Sequence, residues 1–228
     1  MGTIQSFLDH MDWLQLVVLL MGALASLICL TVHELCHGLA AYRLGDPTAK
    51  LNGRLTLNPL VHIDLMGLFL MLMVRVGWAK PVPVNMSNFK KPKRDMALTA
   101  LAGPASNFLL AALALAVCSI LYRRCPDGRV RAYALLFFSY LAVLSVGLGL
   151  FNLIPIPPLD GSKVLFSLLP DRAYRFILRY ERFLIAAVVL MAWSGLFGGP
   201  LSAAMEAVVR LLCALTGFPF AIPQYYFF

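Results

Sequence analysis

From Trp13 to Tyr42 the chain runs for 30 predominantly apolar residues and confines its ionisable groups to one turn, His33-Glu34-Leu35-Cys36-His37. As a helix this run is about 45 Å long, against a hydrocarbon core of about 30 Å, so it crosses a bilayer and must tilt or protrude. Ionisable groups are expensive at that depth, and three within one turn mark a functional site. Two histidines four apart lie on one helix face, close enough to hold one metal ion. Glu34 projects beside them, where a carboxylate can take a proton from a water that the metal activates. If Arg43 marks the interface, His37 and His33 lie roughly 9 and 15 Å below it at 1.5 Å per residue.

The rest of the chain agrees with a membrane setting. Of 228 residues, 61% are hydrophobic and 13% charged, and the mean hydropathy is +0.81. A soluble domain carries about 25% charged residues, so that class is excluded. The expected fold is an all-α polytopic membrane protein of about four to six membrane helices, organised as a single domain over residues 1–228. The net charge of +8 does not point to nucleic acid. The basic residues sit at the ends of apolar runs, where anionic lipid headgroups are their partners. Of five cysteines, Cys29, Cys36, Cys118 and Cys213 fall in apolar runs and only Cys125 lies in a polar loop, with no C-x-x-C pair; no disulfide framework is expected. Cys36 stands three residues after His33, near enough to neighbour the metal, although packing is its ordinary role. The first run lacks a basic leader region and carries the histidine motif, so it reads as a retained helix.

Gly45-Asp46-Pro47 stops the first helix. The segment Lys50 to Asn58 then alternates polar and apolar residues around Asn52-Gly53 and predicts a β-hairpin, and Pro81 to Asn85 suits an edge strand or loop. Together they form a small membrane-associated β region. Residues 63–74 are apolar but too short to span comfortably, and read as re-entrant or as a short buried helix. Spans are expected at Met96–Tyr122 and Ala132–Ile154, with one or two further hydrophobic helices in 183–197 and 201–220. Gln224 to Phe228 reads as an interfacial aromatic anchor. Segment 43–94 carries nine Lys or Arg, 123–131 four, 163–182 five, and the N-terminus none. With 63–74 not spanning, 43–94 and 163–182 share a side, which the positive bias makes cytoplasmic. His33, His37 and Asp160 then lie near one face.

A catalytic zinc site needs three protein ligands and one open position. Asp160 fits the third place, since it follows a helix broken by Pro155, Pro157 and Pro158; the alternative is an N-cap for the stretch Ser162–Leu168. At this point three separated motifs in order carry a resemblance: HELCH in the first helix, AGPASN in the span after Met96, and NLIPIPPLDG at the helix break. The chain resembles the site-2 protease family of intramembrane zinc metalloproteases, most strongly over residues 31 to 170. GRLTLNPLVHID and GWAKPVPVN are also similar to family segments. The resemblance implies one zinc ion per chain, held by His33, His37 and Asp160, with Glu34 as catalytic base. Asn152, eight before Asp160, would help hold the substrate carbonyl or its oxyanion, and Asn107 is a supporting residue. It implies a compact member, without PDZ or nucleotide-sensing domain, that hydrolyses peptide bonds of membrane-spanning or membrane-associated proteins in the plasma membrane, its active site nearer the cytoplasm.

Two other classes share some of these features. A metal-ion transporter also needs ligands and broken helices at membrane depth, but not a glutamate beside the first histidine. An inactive relative that only binds membrane proteins has no use for an intact set of His33, Glu34, His37 and Asp160. His62 reads either as a residue near the site or as an interfacial anchor, and His10 as a surface residue.

Overall fold

A computed structural model describes residues 13–64, 80–170, 190–191, 194–195 and 198–227. Helix α1 spans Trp13–Arg43 and ends at Gly45-Asp46-Pro47 as expected. A short helix α2, Thr48–Leu51, follows, and two 3-10 turns at Pro59–Val61 and Met86–Asn88 punctuate the loop before the next long helix. Then come α3, Pro92–Arg124, α4, Arg129–Asn152, α5, Asp160–Ser167, α6, Gly198–Thr216, and α7, Ala221–Phe227. Among the described residues four helices, α1, α3, α4 and α6, are long and apolar enough to cross a membrane. These four alone meet the expected minimum of about four. The segment 63–74 lies almost wholly outside the described residues, as do His10 and most of 183–197.

The Lys50–Asn58 hairpin does not form. Thr48 to Leu51 is helical, because the Asp46 carboxylate accepts hydrogen bonds from the Thr48 amide and hydroxyl and starts a turn there. The Asn52-Gly53 pair ends that turn. Gly53 takes the left-handed conformation at φ +66°, its amide bonds Lys50 O, and Arg54 N reaches Ala49 O. A glycine in this conformation is as serviceable at a helix C-terminus as in a hairpin, and the capped turn upstream decides between the two. No β-sheet occurs among the described residues. Residues 80–85 are loop, with Asn85 in an extended conformation, and Ile63 is a lone bridge residue among those described.

This loop is nevertheless held firmly. The buried Asp46 accepts the Asn85 amide at 2.7 Å and the Asn88 side chain at 2.7 Å, tying the end of α1 to the 80–89 segment. Burial raises the Asp46 pKa, but the hydrogen bonds from Thr48, Asn88 and Asn85 outweigh it and hold the carboxyl below its usual range. His62 is fully buried; its Nε2 lies 3.1 Å from Thr56 O and its carbonyl accepts the Lys80 amide at 3.0 Å. Arg54 donates to Val61 O. His62 is therefore a pin inside the loop rather than a lining of the site.

Helix α3 is the central strut, in contact with α1, α4, α5 and α6. Its start is set by Pro92 in the first turn and by Asp95, whose carboxylate reaches back to the Lys91 amide at 2.9 Å. The packed seam is built largely from small residues: Ala25 and Cys29 of α1, Ala111, Ala114 and Cys118 of α3, Ala142 of α4. Where lipid is as apolar as the helices, close backbone approach rather than hydrophobic burial holds them together, and small side chains permit it. Cys29 lies 3.1 Å from the Ser145 hydroxyl across the α1–α4 contact. All five cysteines are free thiols. At the opposite end, Arg123 bonds Gly217 O at 2.7 Å, and Phe227 of α7 stacks edge-on against Tyr140 with centroids 4.7 Å apart. Phe227 thus packs on α4.

Candidate active site

Helix α1 presents His33 and His37 one turn apart on the face that meets α3. Helix α4 stops at Asn152, and the proline-rich connection that follows cannot continue a helix. The chain re-enters helix at Asp160, whose preceding residue Leu159 occupies the N-cap position without a side-chain bond. Asp160 is therefore not the cap. Its Oδ2 lies 3.1 Å from His33 Nε2 and 3.0 Å from His37 Nε2, and the two histidine nitrogens are 3.0 Å apart. All three side chains are buried. Its other oxygen, Oδ1, takes the Lys163 ammonium at 3.0 Å. Gly161 makes this placement possible, since a Cβ there would meet Leu153 O at 2.2 Å.

These donors fit a zinc ion. One atom from each of His33, His37 and Asp160 lies within 4.8 Å of the others, and these three form the metal-capable group found among the described residues; Cys36 is not part of it. Two imidazoles and a carboxylate are a catalytic zinc donor set, and tetrahedral bonds of about 2.0–2.1 Å place such donors about 3.4 Å apart, close to what is seen. The partner of His37 also fits. Its Nδ1 lies 2.7 Å from the Thr99 carbonyl, which can only accept, so the ring proton stays on Nδ1 and Nε2 keeps its lone pair for a metal. Space is kept by Gly103 of α3: a Cβ there would sit 2.4 Å from His37 Nε2 and 2.7 Å from His33 Cε1.

Glu34 and Asn152 line the same pocket as the three donors. Glu34 Oε2 accepts the Val82 amide at 3.0 Å, which orients the carboxylate from the loop whose Pro81, Val82 and Val84 line one wall. Asn152 is half-buried and donates through Nδ2 to Leu148 O at 3.0 Å. Asn107 is fully buried on α3, with Nδ2 3.1 Å from His33 Nδ1. The five site residues named from the sequence, His33, Glu34, His37, Asn152 and Asp160, thus come together in one pocket. Residue types alone did not flag the Val82 amide, the Thr99 carbonyl or Lys163. The first two act through the backbone. Lys163 carried a signal, an i+3 spacing from Asp160 on a short helix.

Comparison with known proteins gives the same direction. The family model for Peptidase family M50 matches residues 124–195. YwhC of Bacillus subtilis (strain 168), whose name provisionally calls it a zinc metalloprotease, is 35% identical over 200 residues, covering 83% of this chain and 89% of that protein. Rip2 of Mycolicibacterium smegmatis, named in the same provisional way, is 33% identical over 171 residues, 72% of this chain and 64% of its own length. SA1105 of Staphylococcus aureus (strain N315) is 52% identical over 40 residues. No solved structure matches.

Proposed function

The chain belongs to peptidase family M50, the site-2 protease family, and we propose that it is a single-domain intramembrane metalloendopeptidase in which His33, His37 and Asp160 hold one zinc ion. The observation that carries this reading is the convergence of those three buried donors with Glu34 in one pocket. A zinc ion held by these three donors would supply Lewis acidity to the attacking water and the scissile carbonyl. Glu34 then takes the proton from the attacking water and returns it to the departing amine. The Val82 amide holds the Glu34 carboxylate in place, and Asn152 offers a donor to the substrate carbonyl as charge develops on its oxygen. The substrates are membrane-spanning or membrane-associated proteins, whose helical peptide bonds must unwind before they reach the pocket. The loop residues Pro81–Asn85 support this, because Pro81 and Val84 line the pocket wall, where an unwound peptide would lie against them. The transporter alternative is not favoured, since the family is a peptidase family and the named relatives are provisionally called zinc metalloproteases.

Purified protein is expected to bind about one zinc per chain, the capacity of one three-ligand site. His33→Ala, His37→Ala and Asp160→Ala should each lower zinc content sharply in elemental analysis. Full zinc retention in Asp160→Ala would remove it from the ligand set.

The active site is proposed to lie nearer the cytoplasmic face of the plasma membrane, from the excess of Lys and Arg in 43–94 and 163–182. Single cysteines at Lys91 and Arg124, in a background lacking Cys125, are expected to react with impermeant reagents from opposite sides. Reaction of both from one side would overturn this orientation.

A further inference from the structure

The Val82 amide that meets Glu34 belongs to residues 80–85, which have neither helix nor sheet ladder to fix them, so its position has to come from ties elsewhere. Pro81 and Pro83 flank Val82 and carry no N–H, which leaves Val82 as the amide donor of that tripeptide. The two rings hold φ near about −65° and restrict Lys80 and Val82, each of which precedes a proline. The tripeptide is therefore a stiff connector, and a shift at either end reaches Val82 instead of being absorbed. One end is tied by the Lys80 amide to His62 O at 3.0 Å. In the middle, the buried Val82 side chain sits over Gly38 of α1, where a Cβ would be 3.3 Å from Val82 Cγ1. Gly38 is one helical turn after Glu34. The other end is tied by Asp46: its Oδ2 accepts the Asn85 amide at 2.7 Å, and its Oδ1 accepts the Asn88 side chain at 2.7 Å besides the local bonds from Thr48.

We infer that Asp46 is the positioning residue for Glu34: by holding Asn85 and Asn88 it fixes, through the Pro81–Val84 connector, the Val82 amide that orients the Glu34 carboxylate. The inference rests on the reading of Glu34 as the group that moves the proton. Turn formation explains the Thr48 bonds, since an aspartate commonly bonds the backbone two residues on. It does not explain Oδ2, which takes a backbone amide 39 residues away. Asp46 is fully buried, and a buried carboxylate is costly unless its oxygens are satisfied. What the charge adds is strength, because hydrogen bonds to an ionised acceptor are about twice as strong as neutral ones. The same connector carries Pro81, Val82 and Val84 into the pocket wall, whereas Asp46 is neither among the pocket-lining residues nor in the metal-capable group. It acts on the site through the loop alone.

The test is a double-variant cycle on the intact purified chain, reading zinc content and the kcat for a tagged single-span protein that the unmodified chain cuts. Asp46→Asn keeps the shape but replaces one acceptor by a donor. Whichever way it sits, an NH2 group then faces either the Asn85 amide or the Thr48 and Asn88 donors. Val82→Pro deletes the amide at the other end of the path. Each is expected to keep its zinc and to lose at least about tenfold in kcat, within the roughly 10²-fold that a 1 Å misplacement can cost. Since both act on one contact, the double variant should be no slower than the slower single one, whereas independent losses multiply. Multiplied losses would show that Asp46 works by another route and overturn the inference. So would an unmodified kcat in either single variant, or loss of zinc from Asp46→Asn, which would place its effect on the metal donors. If Asp46→Asn does not accumulate in the membrane, Asn88→Ala takes its place in the cycle, removing one tie at an exposed side chain. It is expected to lose kcat by a smaller factor, and an unmodified kcat there overturns the inference. Cleavage by Glu34→Gln at the unmodified rate is a separate result: it overturns the reading of Glu34 and this inference with it.

Discussion

Glu34→Gln is expected to retain zinc and fold normally, yet lose peptide-bond cleavage by at least about two orders of magnitude. The proposed metal donors are His33, His37 and Asp160, so removing the Glu34 charge takes nothing from the ion. Glutamine keeps the length of the side chain and an oxygen that can still accept the Val82 amide, now 3.0 Å from Glu34 Oε2. What it lacks is a basic carboxylate able to take a proton from water and pass it on, and general acid–base catalysis contributes about 10²- to 10⁴-fold. The measurement pairs zinc content with cleavage of a tagged single-span protein co-expressed with the enzyme, both from the same preparations. In a transporter the unmodified chain would cut nothing and the variant would alter ion movement. Cleavage by Glu34→Gln at the unmodified rate, with contaminating proteases excluded, would overturn the assigned mechanism while leaving the zinc site untouched.

The histidine pair and Glu34 were legible because the membrane makes them conspicuous: an ionisable turn in an apolar run has no cheap structural explanation. Asp160 was legible for a related reason, since three prolines break the helix ahead of it and only a protein-lined cavity tolerates such a break. The long spans followed from hydropathy, and α3 and α4 lie within a few residues of the expected 96–122 and 132–154. The hairpin at Lys50–Asn58 was misread because Asn52-Gly53 suits two backbone outcomes. The deciding contact, the Asp46 carboxylate on Thr48, also engages Asn85 and Asn88 some forty residues away. A short-range pattern cannot register a residue whose partners are assembled by the fold. The same holds for the Val82 and Thr99 backbone groups, which any residue type could have supplied.

Small residues in a membrane helix are read as permission for close packing, and at Gly103 the structure turns that general reading into a specific one. Gly103→Ala is expected to empty the zinc site, lowering metal content at least about tenfold, as disturbing a metal ligand's orientation does, with activity falling in step. The added Cβ would lie 2.4 Å from His37 Nε2, 2.5 Å from His37 Cε1 and 2.7 Å from His33 Cε1. Neither ring can retreat freely, because His37 is held to Thr99 O at 2.7 Å and His33 to Asn107 at 3.1 Å. Helix α3 cannot readily back away either, since it also packs against α4, α5 and α6. The helix itself gains from the change: alanine is favoured over glycine in a helix interior by about 1 kcal/mol. A general destabilisation and a local collapse of the site therefore predict opposite results for the fold. The expected variant inserts and melts like the unmodified protein or slightly higher, while its zinc is lost. Gly22→Ala on α1 is the control, for its nearest neighbour, Tyr140 Cε1, is 4.0 Å from the new Cβ, and it should keep both zinc and activity. If Gly103→Ala binds zinc as tightly as the unmodified chain, the histidines are not held where the structure places them, and the site must have room to shift towards Asp160.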